Sequence, residues 1–325
     1  MDKNQLRIVF FGTPEFAVES LDALVKNGFN IVGVVTAPDK VAGRGKHLSQ
    51  SAVKQYALAN NLPVFQPEKL KSPEFVEQLR SLDAQLFIVI AFRMLPEVVW
   101  TMPPLGTFNL HGSLLPRYRG AAPINRAVMA GETETGVTTF FLKHEIDTGD
   151  VLKKEKIEIG PNENAGSVHD RLMAIGAKLT VETVENIIAG TLTPMPQSEL
   201  EKDVPACGAP KIFKDDCRID WTSGAVAIHN HVRGLAPYPA AWSMLRIGDS
   251  ESGTIKILDT RVCDKDLGLC PGTMVLCDKK VYAGTADGRS LEILMLQPAG
   301  KRPMSANDFM RGLHLAGSDN GPVLY

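Results

Sequence analysis

The chain has no apolar run long enough to cross a bilayer. Its longest, Leu86 to Phe92, falls far short of the roughly 20 residues that a membrane helix needs. The opening Met1-Asp-Lys-Asn-Gln5 has no signal-peptide core, so a cytoplasmic protein without a membrane partner is expected. Cysteine is sparse: five residues, Cys207, Cys217, Cys263, Cys270 and Cys277, none in a CxxC pair. An odd count without pairing signs fits a reducing compartment, with neither disulfides nor zinc, and no metal is expected. Charge is nearly balanced, with 35 basic residues against 37 acidic ones and a net −2. That excludes a protein that coats nucleic acid non-specifically, and DNA is not expected as a partner. A local basic face stays open, because distribution matters more than the total. Internal repeats and low-complexity tracts are also missing.

At 325 residues the chain is long for one domain and comfortable for two, and its 44% hydrophobic and 22% charged residues are ordinary for a globular protein. Leu6 to Phe11 reads as a buried strand, and Gly12-Thr-Pro-Glu15 opens a helix, with Thr13 suited to the N-cap. Phe29 to Thr36, Val64-Phe65, Leu86 to Ala91 and Gly106 to Leu110 read as further strands, alternating with helices at about 51–60 and 73–82. Continuous apolar strands alternating with helices imply a doubly wound, mostly parallel α/β domain, which places ligands beyond the carboxyl ends of the strands. A long amphipathic helix from about Ala165 to Ala189 closes it, giving a domain over 1–190. The stretch 191–207 reads as a Pro-rich linker. Short strands at about 253–261, 279–284 and 289–297, around a helix near Ser223 to Arg233, make 208–325 a small β domain, expected as a barrel.

The chemically loaded stretch is Asn109-Leu-His-Gly-Ser-Leu-Leu-Pro-Arg-Tyr-Arg-Gly120, followed by Asp147-Thr-Gly-Asp150. Asn109 and His111 are two apart on an extended segment and therefore face the same side. An isolated Asn-x-His most often satisfies loop backbone. Here an apolar loop, Ser113-Leu-Leu-Pro116, follows directly, which is the composition of a small-molecule pocket. An amide and an imidazole suit an oxyanion, and a carboxylate suits orientation of the imidazole and proton handling. There is no serine or cysteine nucleophile motif nearby. Asp147 either forms a plain Asx-turn before Gly149 or reaches His111; spacing does not decide between them.

Thr36 to Ser49 is a Gly-rich basic loop carrying Lys40, Arg44, Lys46 and His47. It fails the GxxxxGK[ST] pattern at both ends, with Lys40 and His47 where a glycine and a Ser/Thr belong. It is either a lid for a phosphate-bearing substrate or a solvated loop. From residue 208 onward, 14 basic residues face 13 acidic ones; a basic face through Lys211, Lys214, Arg218, Arg233, Lys301 and Arg302 competes with simple scatter.

At Asn109 to Arg126 the chain closely resembles the folate-dependent formyltransferases, and the likeness extends over nearly its whole length. Phe11-Gly-Thr-Pro-Glu-Phe16, Pro38 to Lys46, Glu134-Thr-Gly-Val-Thr138 and Asp147-Thr-Gly-Asp150 match family motifs. Lys211 to Trp221 and Pro298 to Met304 resemble the C-terminal domain of members that act on tRNA. Ala91-Phe-Arg-Met-Leu-Pro96 departs from the longer Ala-Tyr-Gly-type loop more common in the family.

The resemblance implies a Rossmann-like formyltransferase domain followed by an OB-like barrel, in a monomer. It implies 10-formyltetrahydrofolate as formyl donor and methionine-charged initiator tRNA as acceptor. Asn109, His111 and Asp147 would be catalytic. Ser113, Leu114, Leu115 and Pro116 would line the folate site opposite Phe92, Arg93, Met94 and Leu95. Arg44, Lys46, Lys211, Lys214 and Arg233 would contact tRNA. Two rivals share the motif or the fold: transfer to a nucleotide-linked amino sugar, and a non-catalytic RNA-binding protein on a retired enzyme fold.

Overall fold

A computed structural model describes residues 2–42, 47–248, 250–313 and 322–325. In chain order its strands and helices begin with β1 (Arg7–Gly12), α1 (Glu15–Lys26), β2 (Asn30–Val35), β3 (Lys40–Ala42) and β4 (His47–Ser49). There follow α2 (Ala52–Ala59), β5 (Val64–Phe65), α3 (Pro73–Ser81), β6 (Leu86–Ile90), α4 (Glu97–Trp100) and β7 (Thr107–His111). Next come α5 (Pro123–Met129), β8 (Glu134–Phe141), β9 (Val151–Glu158), α6 (Ala165–Ala189), α7 (Gln197–Leu200) and α8 (Ala225–Leu235). The last are β10 (Ala241–Ile247), β11 (Ser250–Cys263), β12 (Met274–Cys277), β13 (Lys280–Gly284), β14 (Ser290–Pro298), β15 (Met304–Ser305), α9 (Ala306–Gly312) and β16 (Val323–Leu324).

The chain divides into two compact units. The first comprises 1–123, 135–157 and 169–209, and the second 124–134, 158–168 and 210–325. In the first, one sheet runs β5-β2-β1-β6-β7-β8-β9. β1, β2, β5, β6 and β7 are parallel, and β8 returns antiparallel along β7. The centre is dry: Ile8, Val9, Phe10 and Phe11 on β1, and Ile88 and Ile90 on β6, are fully buried. Strands covered on both faces need such continuous apolar runs, which is why periodicity marked them as parallel. Strand order reverses between β1 and β6, so the crevice at their carboxyl ends is where this architecture binds ligands. Helix α1 starts one residue later than expected. Pro14, extended at φ −82° and ψ 176°, takes the N-cap place, and no side chain caps the helix.

In the second unit, antiparallel strands run β12-β13-β14-β11-β10-β16, with β15 on the flank of β14. The sheet curls until its edges meet at a bridge between Thr273 and Val323. There Met274 donates to the Pro322 carbonyl at 2.8 Å and Leu324 to that of Gly272 at 2.9 Å. The core of this unit joins Ile228 and Val232 of α8 and Met310 of α9 to Ile255, Ile257, Ile293 and Leu296 of the sheet. This is an antiparallel sheet coiled towards a barrel, with α8 packed on it. Among the described residues no helix is long and apolar enough to cross a membrane.

Candidate active site

β7 delivers Asn109 and His111 to the carboxyl end of the sheet, paired with Phe140 and Thr138 of β8. His111 is 6% exposed and stands edge-on to Phe140, with ring centroids 6.3 Å apart. Its Nε2 lies 2.8 Å from the Tyr118 carbonyl. A carbonyl only accepts, so Nε2 carries the proton and, in the neutral ring, Nδ1 keeps its lone pair. Nδ1 lies 3.7 Å from Asp147 Oδ2, close enough for electrostatics but too long for a direct hydrogen bond. Asp147 therefore does reach His111. Its Oδ2 accepts from the Gly120 N–H at 2.9 Å, which fixes the carboxylate beside the ring.

Two glycines make this possible. Gly120 has φ +125°, and a Cβ there would stand 2.7 Å from the Ala209 carbonyl oxygen. At Gly149 a Cβ would fall 1.5 Å from the Phe141 carbonyl oxygen, so only glycine lets the Asp147 turn lie on β8. Asp147 itself sits at φ +55°, a left-handed conformation that costs a non-glycine residue energy.

The Oδ1 atom of Asn109 is buried and, among the described residues, finds no hydrogen-bond partner. Leaving a buried amide oxygen unpaired costs about 1–3 kcal/mol. This atom, two positions from His111 on the same face of β7, is a candidate acceptor for a ligand N–H. Among the described residues no group of three or more His, Cys, Asp or Glu side chains could hold a metal ion.

The loop after β7 is held from β8. Thr138 Oγ1 donates to the Ser113 carbonyl at 2.7 Å and accepts from the Leu115 N–H at 3.2 Å, while Lys154 Nζ donates to the Leu115 carbonyl. Burial lowers the Lys154 pKa below its ordinary value. Ser113 is fully buried, with its hydroxyl on the Arg117 carbonyl at 2.7 Å. Leu115 is fully buried against Phe140 and Val151, and Pro116 is buried as well. Of these four side chains only Leu114, over Gly136, is partly open. In the segment after β6, Leu95 belongs to the core with Val89 and Val99, and Phe92 leans edge-on against Phe11 at 5.8 Å. Met94 is 71% exposed, and Arg93 is tied to the carbonyls of Glu68 and Pro67. Of the eight side chains expected at the folate, Leu114, Phe92, Arg93 and Met94 are the four that are not buried. Leu115, Pro116 and Leu95 are buried in packing, and the Ser113 hydroxyl is spent on the Arg117 carbonyl.

Arg44 and Lys46 lie outside the described residues. The base of their loop is pinned by Asp39, which accepts from Lys54 at 2.6 Å and from Gln66 at 2.7 Å. In the second unit Lys211 and Lys214 are exposed, stacked over the rings of Phe213 and Trp242 at 5.4 and 5.9 Å. Arg233 corrects the expectation of a surface contact. It is 6% exposed, and its guanidinium is consumed by Asn230 Oδ1 and the carbonyls of Gly160 and Glu163. The two carbonyls lie some 70 positions earlier in the chain, so a basic residue near the end of α8 gave no sign of them. Also unsuspected were Tyr118, Gly120, Thr138 and Gln197. Tyr118, Gly120 and Thr138 lay in quoted motifs without any sign that they support His111, and Gln197 lay in none.

With this geometry in view, two family models match the chain: formyl transferase over residues 6–184, and formyl transferase, C-terminal domain, over residues 211–314. The chain belongs to the formyl transferase family. Among curated relatives, the methionyl-tRNA formyltransferase of Bacteroides fragilis is 51% identical, over 97% of this chain and 97% of that protein. That of Parabacteroides distasonis is 53% identical, over 96% of this formyl transferase and 97% of its own length. Among solved structures, an N-formyltransferase from Helicobacter canadensis, determined with folinic acid and dTDP-3-aminofucose, superposes with a TM-score of 0.64. It covers 89% of this chain and 99% of its own at 19% identity, a likeness of fold.

Proposed function

We propose that this formyl transferase moves the formyl group of 10-formyltetrahydrofolate to the α-amino group of methionine on charged initiator tRNA. The observation that carries the chemistry is the Asn109 amide, with its unpaired buried oxygen, beside a His111 ring held between the Tyr118 carbonyl and Asp147. The two relatives, alike over almost their full length, and the match over residues 211–314 support the acceptor.

The folate supplies an N-formyl group whose carbonyl carbon accepts a nucleophile. Leu114, Phe92, Arg93, Met94 and the backbone of 113–116 would hold it. In the transfer a bond forms between the amine nitrogen and the formyl carbon, and the bond from that carbon to the folate nitrogen breaks. The amine gives up a proton, and the folate nitrogen leaves with one. Asn109 Oδ1 accepts an N–H of the entering amine, and its NH₂ donates to the formyl oxygen as negative charge develops there. The tautomer of His111 revises its part in that scheme. With Nε2–H committed to Tyr118, the atom free for chemistry is Nδ1, which takes the amine proton and donates as an imidazolium. Asp147 Oδ2 orients the ring and stabilises that cation.

Residues 1–190 would carry this reaction and 208–325 would hold tRNA, with Lys211 and Lys214 among the contacts. The stretch 191–207, packed within the first unit, would lead from one to the other, and the enzyme would work as a cytoplasmic monomer. The test is a competition: purified protein, 10-formyltetrahydrofolate, and equal amounts of methionine-charged initiator tRNA and a dTDP-linked amino sugar. Formyl should appear on the tRNA; formyl on the sugar nucleotide, or on neither, would overturn the assignment.

A further inference from the structure

The Pro-rich stretch after α6 has no apolar periodicity, yet it contains one of the most fully hydrogen-bonded side chains in the first unit. Gln197 opens α7 and is 2% exposed. Its Nε2 donates to the carbonyls of Asp147 at 2.9 Å and Gly149 at 2.8 Å. Its Oε1 accepts from Arg119 Nε at 3.0 Å and Nη2 at 2.6 Å. A carboxamide has two N–H donors and two acceptor lone pairs, and here all four are used. The amide's orientation is therefore uniquely set: its NH₂ faces the Asp147 turn and its oxygen faces Arg119.

Those two partners are the two loops that hold His111. The turn presents Asp147 to Nδ1; Arg119 lies between Tyr118, whose carbonyl accepts from Nε2, and Gly120, whose N–H binds Asp147. The same strap grips the second loop again, as Tyr118 N–H reaches Cys207 Sγ at 3.3 Å and Arg119 N–H the Cys207 carbonyl at 3.0 Å. On the turn side, Val151 and Met195 exchange both backbone hydrogen bonds at 2.8 Å. Asp147 holds a left-handed φ of +55°, a conformation that persists only where its surroundings over-determine it. The amide of Gln197 grips the carbonyl of that residue.

We propose that Gln197, braced by Arg119, is a positioning residue for formyl transfer: it sets the distance between Asp147 and His111 by tying their two loops to one amide. This rests on the catalytic roles assigned above to His111 and Asp147. Neither Gln197 nor Arg119 touches the reacting atoms.

The test uses Gln197→Met, which keeps length and volume but removes all four hydrogen bonds, and the milder Arg119→Lys. Single-turnover formylation should slow by about 10- to 100-fold in Gln197→Met, with KM for folate and tRNA changed by less than about threefold. Combined with His111→Ala, Gln197→Met should cause little further loss, because it acts through that ring. Long-range ¹H–¹⁵N spectra of the free protein should show His111 losing its single Nε2–H tautomer in Gln197→Met. That readout needs no acceptor: a changed tautomer without formylation of tRNA by wild type would refute the acceptor and leave the positioning role standing. An unchanged tautomer, or rate losses that add fully in the double variant, would overturn it. Should Gln197→Met fail to fold, the same two readouts on Arg119→Lys decide the matter.

Discussion

Adding a single methyl group at Gly149 should separate catalysis from binding. In Gly149→Ala the new Cβ would lie 1.5 Å from the Phe141 oxygen and 2.7 Å from its carbonyl carbon. Contacts below about 3.0 Å do not occur for real Cβ atoms, so that first separation has to double. Both neighbours are backbone atoms of β8, an interior strand, and cannot swing aside as a flexible side chain would. The turn must lift instead. Lifting it breaks or lengthens the Phe141 N–H bond to the Asp150 carbonyl and both bonds from Gln197 Nε2. At about 1 kcal/mol net for each of three bonds, stability should fall by roughly 2–3 kcal/mol. Displacing the Asp147 carboxylate by on the order of 1 Å should slow the chemical step about 100-fold, equivalent to about 3 kcal/mol of barrier. Folate affinity should change little, because Thr138 holds the 113–116 loop independently of the turn. The assay is single-turnover transfer from 10-formyltetrahydrofolate to charged tRNA, with thermal unfolding measured alongside. A folded Gly149→Ala enzyme working within about threefold of wild type would refute the need for a fixed Asp147.

The basic loop offers a second test. Arg44→Ala should depress both kcat and tRNA affinity, Arg44→Lys should recover only part, and the binding component should weaken with salt; wild-type rates at saturating and subsaturating tRNA would make the loop plain surface. A third concerns pH. His229 donates through Nε2 to the Pro161 carbonyl and accepts at Nδ1 from Thr260, and burial holds its pKa below the ordinary 6.5. As pH falls through that value the unfolded chain takes up the proton first, so stability is kept above it and lost below it. The melting temperature of the unit containing α8 should drop between about pH 7 and pH 5, and the drop should be smaller in His229→Gln; an equal slope in both proteins would exclude the histidine as its source.

The sequence made the parallel sheet legible because β1 and β6 are buried on both faces and write that condition as unbroken apolar runs. Asn109 and His111 were legible for a simpler reason: two positions apart on a strand, they share a face whatever surrounds them. Asp147 was half legible. Its turn chemistry showed in Thr148-Gly149, but its reach to His111 depends on Gly149 lying against Phe141. The side chains of the loops proposed to hold folate were harder. Leu115 and Leu95 are apolar and adjacent to polar motif residues, yet apolarity alone does not distinguish a pocket wall from the core beneath it. Arg233 looked like surface charge because its carbonyl partners, at Gly160 and Glu163, come from a distant loop. Gln197 was invisible for the same reason: it is a polar residue in a Pro-rich stretch, and the three residues its amide bonds lie about 50 to 80 positions away.

The most direct test of the account is the rate of formyl transfer to methionine-charged initiator tRNA in a single turnover, compared between wild type and Asn109→Ala, His111→Ala and Asp147→Ala. Each variant should fold and lose about two orders of magnitude or more, and paired substitutions should fall far short of the product of the single losses. Near-wild-type transfer by any one of the three would contradict the claim that they form one catalytic unit.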